Sequence, residues 1–209
     1  MASSVIHIAV ANEINKKLKR KANQLLIGSI APDISKITGE TKLHSHFLDS
    51  NDNDIPNIDK FLKKYHSKLH DDFVLGYFIH LYTDYLWFKY FMIEVCNNNY
   101  ISKLDGTNIK CSGNMLWMYI YNDYTNLNVK LLDEYNLNLK IFYNELPEFN
   151  NIIEEIPMHK INLLVDQISR IIQNTKGKKE LVFNMDNIKV FIQTSVELIL
   201  AKLEELNIS

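Results

Sequence analysis

An all-α fold is what this sequence predicts, and three observations carry it. Apolar residues recur with a period near 3.6 through most of the chain, no segment shows a convincing two-residue strand period, and proline and glycine fall between the periodic stretches. A chain of 209 residues is most simply one domain over 1–209. The expected architecture is a multi-helix bundle built around one buried central helix.

The elements follow in order. Ser3 or Ser4 can cap a first helix with Ile6, Val10, Ile14 and Leu18 as its stripe, and His7 falls beside that stripe and faces inward. A short second helix carries Leu25, Leu26 and Ile27 and is expected to stop at Pro32, because the residue before a proline avoids the helical region. Residues 33 to 55 read as a long ordered loop. A loop of that length inside a compact domain is usually functional or disordered, and His44 and His46 within it favour function. Pro56 is placed to open a helix through Tyr65. From Asp71 to Val95 the chain is apolar almost all round, the mark of a central buried helix. Asn97-Asn98-Asn99, Gly106 and Gly113 mark a break, and another helix follows near Met115 to Tyr135. Pro147 and Pro157 punctuate shorter helices. Ile161, Leu164, Ile168 and Ile171 build the next, ended by Gly177. Asp186 is the expected cap of the last, with Phe191, Val196, Ile199 and Leu203 inward.

Composition narrows the partners. The net charge of -2 supplies no basic field for nucleic acid or anionic lipid. The one dense basic cluster, Lys16-Lys17-Leu18-Lys19-Arg20-Lys21, reads as the solvated end of the first helix, where cations suit the negative pole, in preference to a phosphate-binding patch. Cys96 and Cys111 form no C-x-x-C pair, so free thiols and a reducing compartment are expected. The most apolar window, Phe73 to Thr83, is too short to span a bilayer before Asp84 interrupts it, and no secretory pattern opens the chain. A cytoplasmic protein without a transmembrane segment is the expectation.

The chemistry concentrates early. Six of the seven histidines lie in the first 80 residues. Neutral imidazole and carboxylate are the ligands that zinc and its neighbours accept. His80 and Asp84 stand four residues apart on the buried helix, so one cation can bind both. A buried carboxylate there is expensive unless paired or metal-bound. The bland alternative is an aspartate hydrogen-bonded to tyrosine or histidine. Asp33 follows Ala31-Pro32, where proline can aim the next carboxylate or where an ordinary helix-ending aspartate can sit. His44 and His46 alternate along the loop, so only one is expected to point into a given site, and His46-Phe47 couples a ligand to an apolar anchor. His7 alone reads equally as a core histidine.

Taken together, His7, then Gly28-Ser29-Ile30-Ala31-Pro32-Asp33, then His46-Phe47, then Leu75-Gly76-Tyr77-Phe78-Ile79-His80-Leu81-Tyr82-Thr83-Asp84-Tyr85-Leu86-Trp87 resemble the zinc-dependent phospholipase C family in order and approximate spacing. That family is similar in fold to the single-strand-specific zinc nucleases. The resemblance covers about residues 1 to 95. It implies an all-α fold and a phosphodiesterase site, in which Asp33, His46 and His80 hold one zinc, Asp84 bridges and His7 holds a second. Metal-activated water would attack a small-molecule or lipid phosphodiester, with Asp33 orienting or deprotonating that water. Three-zinc members of the family carry a further histidine on the bridging helix. Here Lys89-Tyr90-Phe91-Met92-Ile93 stands in that region and no histidine occurs between His80 and His159, so one to two zinc ions are expected.

Two other readings compete. His70-Asp71 is a literal His-Asp pair, with His46 and Asp123 as possible partners, as in an HD-type metal-dependent phosphohydrolase. Asp71-Asp72 also reads as first-turn acids of the long helix. The third reading is a non-catalytic, metal-binding helical module.

Overall fold

The computed structural model describes residues 1–50, 55–97, 99–110, 113–137, 152–173 and 179–208. Pro147, Gly177 and Cys111 lie outside them, as do residues 51–54 of the long loop and the side chain of Ile171. The described chain is mostly helical.

Helix α1 spans Ser4–Leu18, and its cap is Ser3, whose side chain accepts from the Ile6 amide. Its first two turns, from Ser4 to Ala11, and Ile14 are buried. Helix α2 (Ala22–Gly28) leads into a 3-10 turn, Ala31–Ile34, and the one-turn helix α3 (Ser35–Thr38). The expected stop at Pro32 is therefore corrected. Proline sits in the first turn of the 3-10 segment, where its missing N–H costs nothing. The first part of the expected 33–55 loop is likewise helical, ending at Gly39 in the left-handed conformation. Helix α4 (Ile58–Tyr65) is capped by Asn57, which leaves Pro56 one residue outside it.

Helix α5 (Asp72–Leu86) is the predicted central element, buried from Phe73 to Leu81 without interruption. Asp71 caps it by accepting from the Phe73 and Val74 amides. A π-helical turn, Trp87–Phe91, and the short α6 (Met92–Val95) carry it on. π-turns inside helices often accompany functional sites, and this one begins three residues after Asp84.

A small antiparallel sheet then corrects the expectation of no strands. Strands β1 (Cys96–Asn97), β2 (Tyr100–Ser102) and β3 (Asn108–Lys110) pair in that order, with Ile101 opposite both Cys96 and Ile109. Strands of two and three residues are too short for a two-residue period to register. Asn99 and Gly106 supply the positive φ angles that their turns need.

Helix α7 (Gly113–Glu134), α8 (Ile161–Gln173) and α9 (Met185–Glu205) complete the described chain. The cap of α9 is Asn184 rather than Asp186, because Asn184 and Asn187 satisfy each other's backbone amides reciprocally. Phe191, Val196, Ile199 and Leu203 are buried as expected. Asp123 of α7 is also buried and accepts from the Leu181, Val182 and Phe183 amides, which ties the approach to α9 onto α7. Among the described residues no helix is long and apolar enough to cross a membrane.

Candidate metal centre

Four elements converge on one buried point. Helix α1 contributes His7, the 3-10 turn Asp33, the following loop His46, and α5 both His80 and Asp84. All five are 0–2% exposed. Sequence left His44 and His46 as alternatives along the loop; the structure chooses His46, since His44 is exposed. Phe47 holds that choice in place. It takes the left-handed conformation, φ 53°, and meets the rings of Phe61, Tyr65 and Tyr77 edge-on. The same loop is tied to α5 by the Tyr77 hydroxyl, which donates to the Ser45 carbonyl.

The imidazoles are held from behind. His80 Nδ1 donates to the Ser29 carbonyl (2.7 Å), a partner that can only accept, so its Nε2 faces the cluster with a lone pair to offer. His46 Nδ1 meets the Ser45 hydroxyl at 3.0 Å, which again leaves Nε2 inward. Around the centre His80 Nε2 lies 3.2 Å from His46 Nε2 and 3.4 Å from Asp84 Oδ2. His46 Nε2 lies 3.7 Å from Asp84 Oδ2 and 3.9 Å from Asp33 Oδ1. Donors at about 2.1 Å from a tetrahedral zinc would be separated by roughly 3.4 Å. The three separations among His46, His80 and Asp84 bracket that value, so these donors fit around one ion with small adjustments, and Asp33 stands next to them beside His46.

On the other side of Asp84, Oδ1 is 3.3 Å from His7 Nε2 and accepts from the Ala2 amide at 2.8 Å. The His7 ring stacks on His80 with centroids 3.7 Å apart. His7, His80 and Asp84 form one group able to hold an ion, and Asp33, His46 and His80 another.

Two further facts fit a cation. Both ring nitrogens of His7 and Asp84 Oδ2 are buried with no hydrogen-bond partner. Buried polar atoms are almost always satisfied, so His7 Nε2 and Asp84 Oδ2, both orphaned at the cluster, call for a ligand. The charges agree. Burial lowers His7 to about 4, reinforced by His80 and opposed by Asp84, and burial likewise holds His46 well below its ordinary value. Both rings are thus neutral at pH 7. Burial works against the carboxylates too, yet His7 and His80 hold Asp84 well below the carboxylate range, and Lys36 does the same for Asp33. Lys36 Nζ stands 2.5 Å from Asp33 Oδ2, whereas Asp84, fully buried, meets imidazoles and the Ala2 amide. The surplus negative charge needs a positive partner there.

Sequence reasoning passed over several residues that finish the site. Ser29 and Ser45 orient the imidazoles. Ser4 donates to Asp33 Oδ2 at 3.1 Å. The Tyr124 hydroxyl donates to the Met1 carbonyl (2.6 Å) and the Ser3 hydroxyl to Asn128 Oδ1 (2.8 Å), so α7 straps the first residues across the cluster. No local pattern marks these roles, which arise from contacts up to 125 positions apart.

The cluster borders a cavity of about 510 Å3, within the size range of small-molecule sites. Asp33 reaches its wall; Phe88, Trp117, Tyr121 and Tyr124 give it an aromatic face. Of the residues of the His-Asp alternative only His46 reaches the cluster. His70 is exposed, Asp71 caps α5 and Asp123 is engaged by backbone amides. Glu94, another carboxylate within sequence reach of a cation, is exposed.

Comparison with protein-family models, curated proteins and solved structures finds no match for this chain.

Proposed function

We propose that the cluster is a zinc centre and that the chain is a zinc-dependent hydrolase of phosphoric esters, resembling the zinc-dependent phospholipase C family in fold and in site. The observation that carries this reading is the convergence of buried Asp33, His46, His80 and Asp84 donors around the His46–His80 pair beside a ligand-sized cavity. Asp33, His46, His80 and Asp84 would hold the first ion. Asp84, with one oxygen towards His80 and the other towards His7, is oriented to bridge to a second.

Zinc bound there supplies a water of pKa near neutrality and a Lewis acid for a phosphoryl oxygen. The chain's own residues do the rest. Asp33 stays a carboxylate under the hold of Lys36, which makes it a weak base, so its contribution is to accept a hydrogen bond and orient the nucleophile. Ser29 and Ser45 fix the imidazole planes. The aromatic wall excludes solvent and receives the organic part of the ester.

The test pairs metal analysis of the purified protein with hydrolysis of a chromogenic phosphocholine ester and of bis(4-nitrophenyl) phosphate. Bound zinc with turnover of either ester, abolished by chelation and restored by zinc, supports the reading. Stoichiometric zinc without turnover on either would favour a metal-binding helical module.

A further inference from the structure

The two oxygens of Asp84 are not held alike. Oδ1 accepts from the Ala2 amide at 2.8 Å, whereas Oδ2 has no hydrogen-bond partner and lies 3.4 Å from His80 Nε2. The outer torsion of an aspartate is broad and two-fold, so α5 fixes where this carboxylate stands but not which way its plane turns. The Ala2 amide makes that choice. Ala2 has no polar side chain to hold it in place, and the residues on either side of it are held instead. The Met1 carbonyl accepts from the Tyr124 hydroxyl at 2.6 Å, and the Ser3 hydroxyl donates to Asn128 Oδ1 at 2.8 Å. Tyr124 and Asn128 stand four residues apart on α7 and are neighbours on one face of it. Ser3 donates its single hydrogen to Asn128 and still accepts from the Ile6 amide, so the tie to α7 and the cap of α1 do not compete. Met1, Ala2, Ser3, Tyr124 and Asn128 are all buried. One bond on each side therefore fixes the Ala2 amide against Asp84.

We propose that Tyr124 and Asn128 are positioning residues of the metal centre, which hold the Ala2 amide on Asp84 Oδ1 and so turn Oδ2 towards the ion shared with His46 and His80. This rests on the metal-centre reading and deepens it by naming two residues outside the ligand set that govern metal affinity. Groups behind a metal ligand fix its orientation, and losing one typically costs about 10–100-fold in affinity. Tyr124 and Asn128 also line the cavity. Helix α7 is thus part of the wall that receives the organic group and, through the first residues of the chain, sets the carboxylate that the ion meets.

The test measures zinc affinity of the full chain by competition with a chromogenic chelator, together with the visible absorption of the cobalt-substituted protein, whose bands report the geometry of the ligands. Tyr124→Phe removes only the hydroxyl and keeps the ring that packs on Trp87 and Phe183. Asn128→Ala removes the acceptor of the Ser3 hydroxyl. Tyr65→Phe is the control, since it deletes a hydroxyl bonded to Glu155 and to the Glu154 amide, with no link to Ala2. Each of the two α7 variants should bind zinc roughly tenfold more weakly than wild type and show shifted cobalt bands, at a temperature where circular dichroism shows it folded. Tyr65→Phe should match wild type in both. If the two bonds only stabilise the fold, the α7 variants will melt earlier while the folded protein keeps wild-type zinc affinity and cobalt bands. That result overturns the proposal and spares the metal reading. A wild-type protein that binds neither zinc nor cobalt overturns both.

Discussion

A Cβ placed on Gly76 would lie 2.0 Å from the Leu25 carbonyl oxygen. Helices α2 and α5 therefore cross backbone against backbone, and the same crossing brings Gly28 against the Phe73 carbonyl. One turn beyond Gly76, His80 finds the Ser29 carbonyl at 2.7 Å. The glycines thus set the distance at which the 3-10 turn, and with it Asp33, faces His80.

Gly76→Ala should destabilise the protein by about 1–3 kcal/mol or more, since the obstacle is backbone that cannot rotate away. Zinc affinity should fall with it, as α2 and the turn after it are pushed from α5. Gly113→Ala, with open space around its Cβ, is the control and should be neutral. Thermal melts and zinc titrations of both variants check this; a Gly76→Ala melting temperature equal to wild type would mean that the helices are not so closely crossed.

Zinc stoichiometry should be one to two per chain. His80 and Asp84 belong to the principal set, so His80→Ala and Asp84→Asn should each lower affinity by orders of magnitude. His7→Ala should keep about one equivalent, because His7 serves only the second position, and that ion should leave first under mild chelation. Zinc added in excess should raise the melting temperature of wild type and not of His80→Ala, by mass action on the native state. Three equivalents surviving dialysis would contradict the assignment.

Acid should weaken both the fold and the metal site. In the unfolded chain His7 titrates near 6.5, in the native protein at about 4. Between those values the unfolded state binds a proton that the native state refuses, so stability rises with pH through the window and is lost as pH falls through it. The interval corresponds to up to about 3 kcal/mol. His46, displaced the same way, adds to it. Zinc should be released over the same range, since ligation requires neutral rings. Urea midpoints of zinc-free protein measured from about pH 4.5 to 7.5 should climb, and the climb should be shallower in His7→Gln. A flat profile in wild type would refute the burial of neutral imidazoles.

Asp123→Ala should unfold the protein more readily without touching the metal. It would orphan three backbone amides, Leu181, Val182 and Phe183, at about 1–3 kcal/mol each where no water replaces the carboxylate. Zinc content of the folded fraction should match wild type. A folded Asp123→Ala protein devoid of zinc would make Asp123 a ligand and favour the HD-type reading.

The helical class, the buried α5 and the inward His7 were legible because each depends on a local period that burial of one face imposes. The His80–Asp84 pair of the candidate site was legible too, since histidine and aspartate are costly in an apolar stretch and stand out there. The strands were not, because three residues cannot display a period. Nor was the α9 cap, because Asn184 and Asp186 are both acceptable on propensity and only the backbone geometry at 184 selects between them.

The sequence by itself determined that five potential ligands lie within its first 84 residues, His7, His80 and Asp84 on helices, Asp33 at the end of a short one and His46 on a long loop. The tertiary structure alone decided that they meet. His46 prevailed over His44 because Phe47 is buried against Phe61 and Tyr77 and turns the chain at a positive φ. His80 presents Nε2 because a carbonyl 51 residues away occupies Nδ1. Tyr124 and Asn128, unremarkable in sequence, reach Met1 and Ser3 only because α7 packs against α1. Local propensity acts over a few residues, whereas the direction of a donor atom is set by segments that only long-range packing brings together.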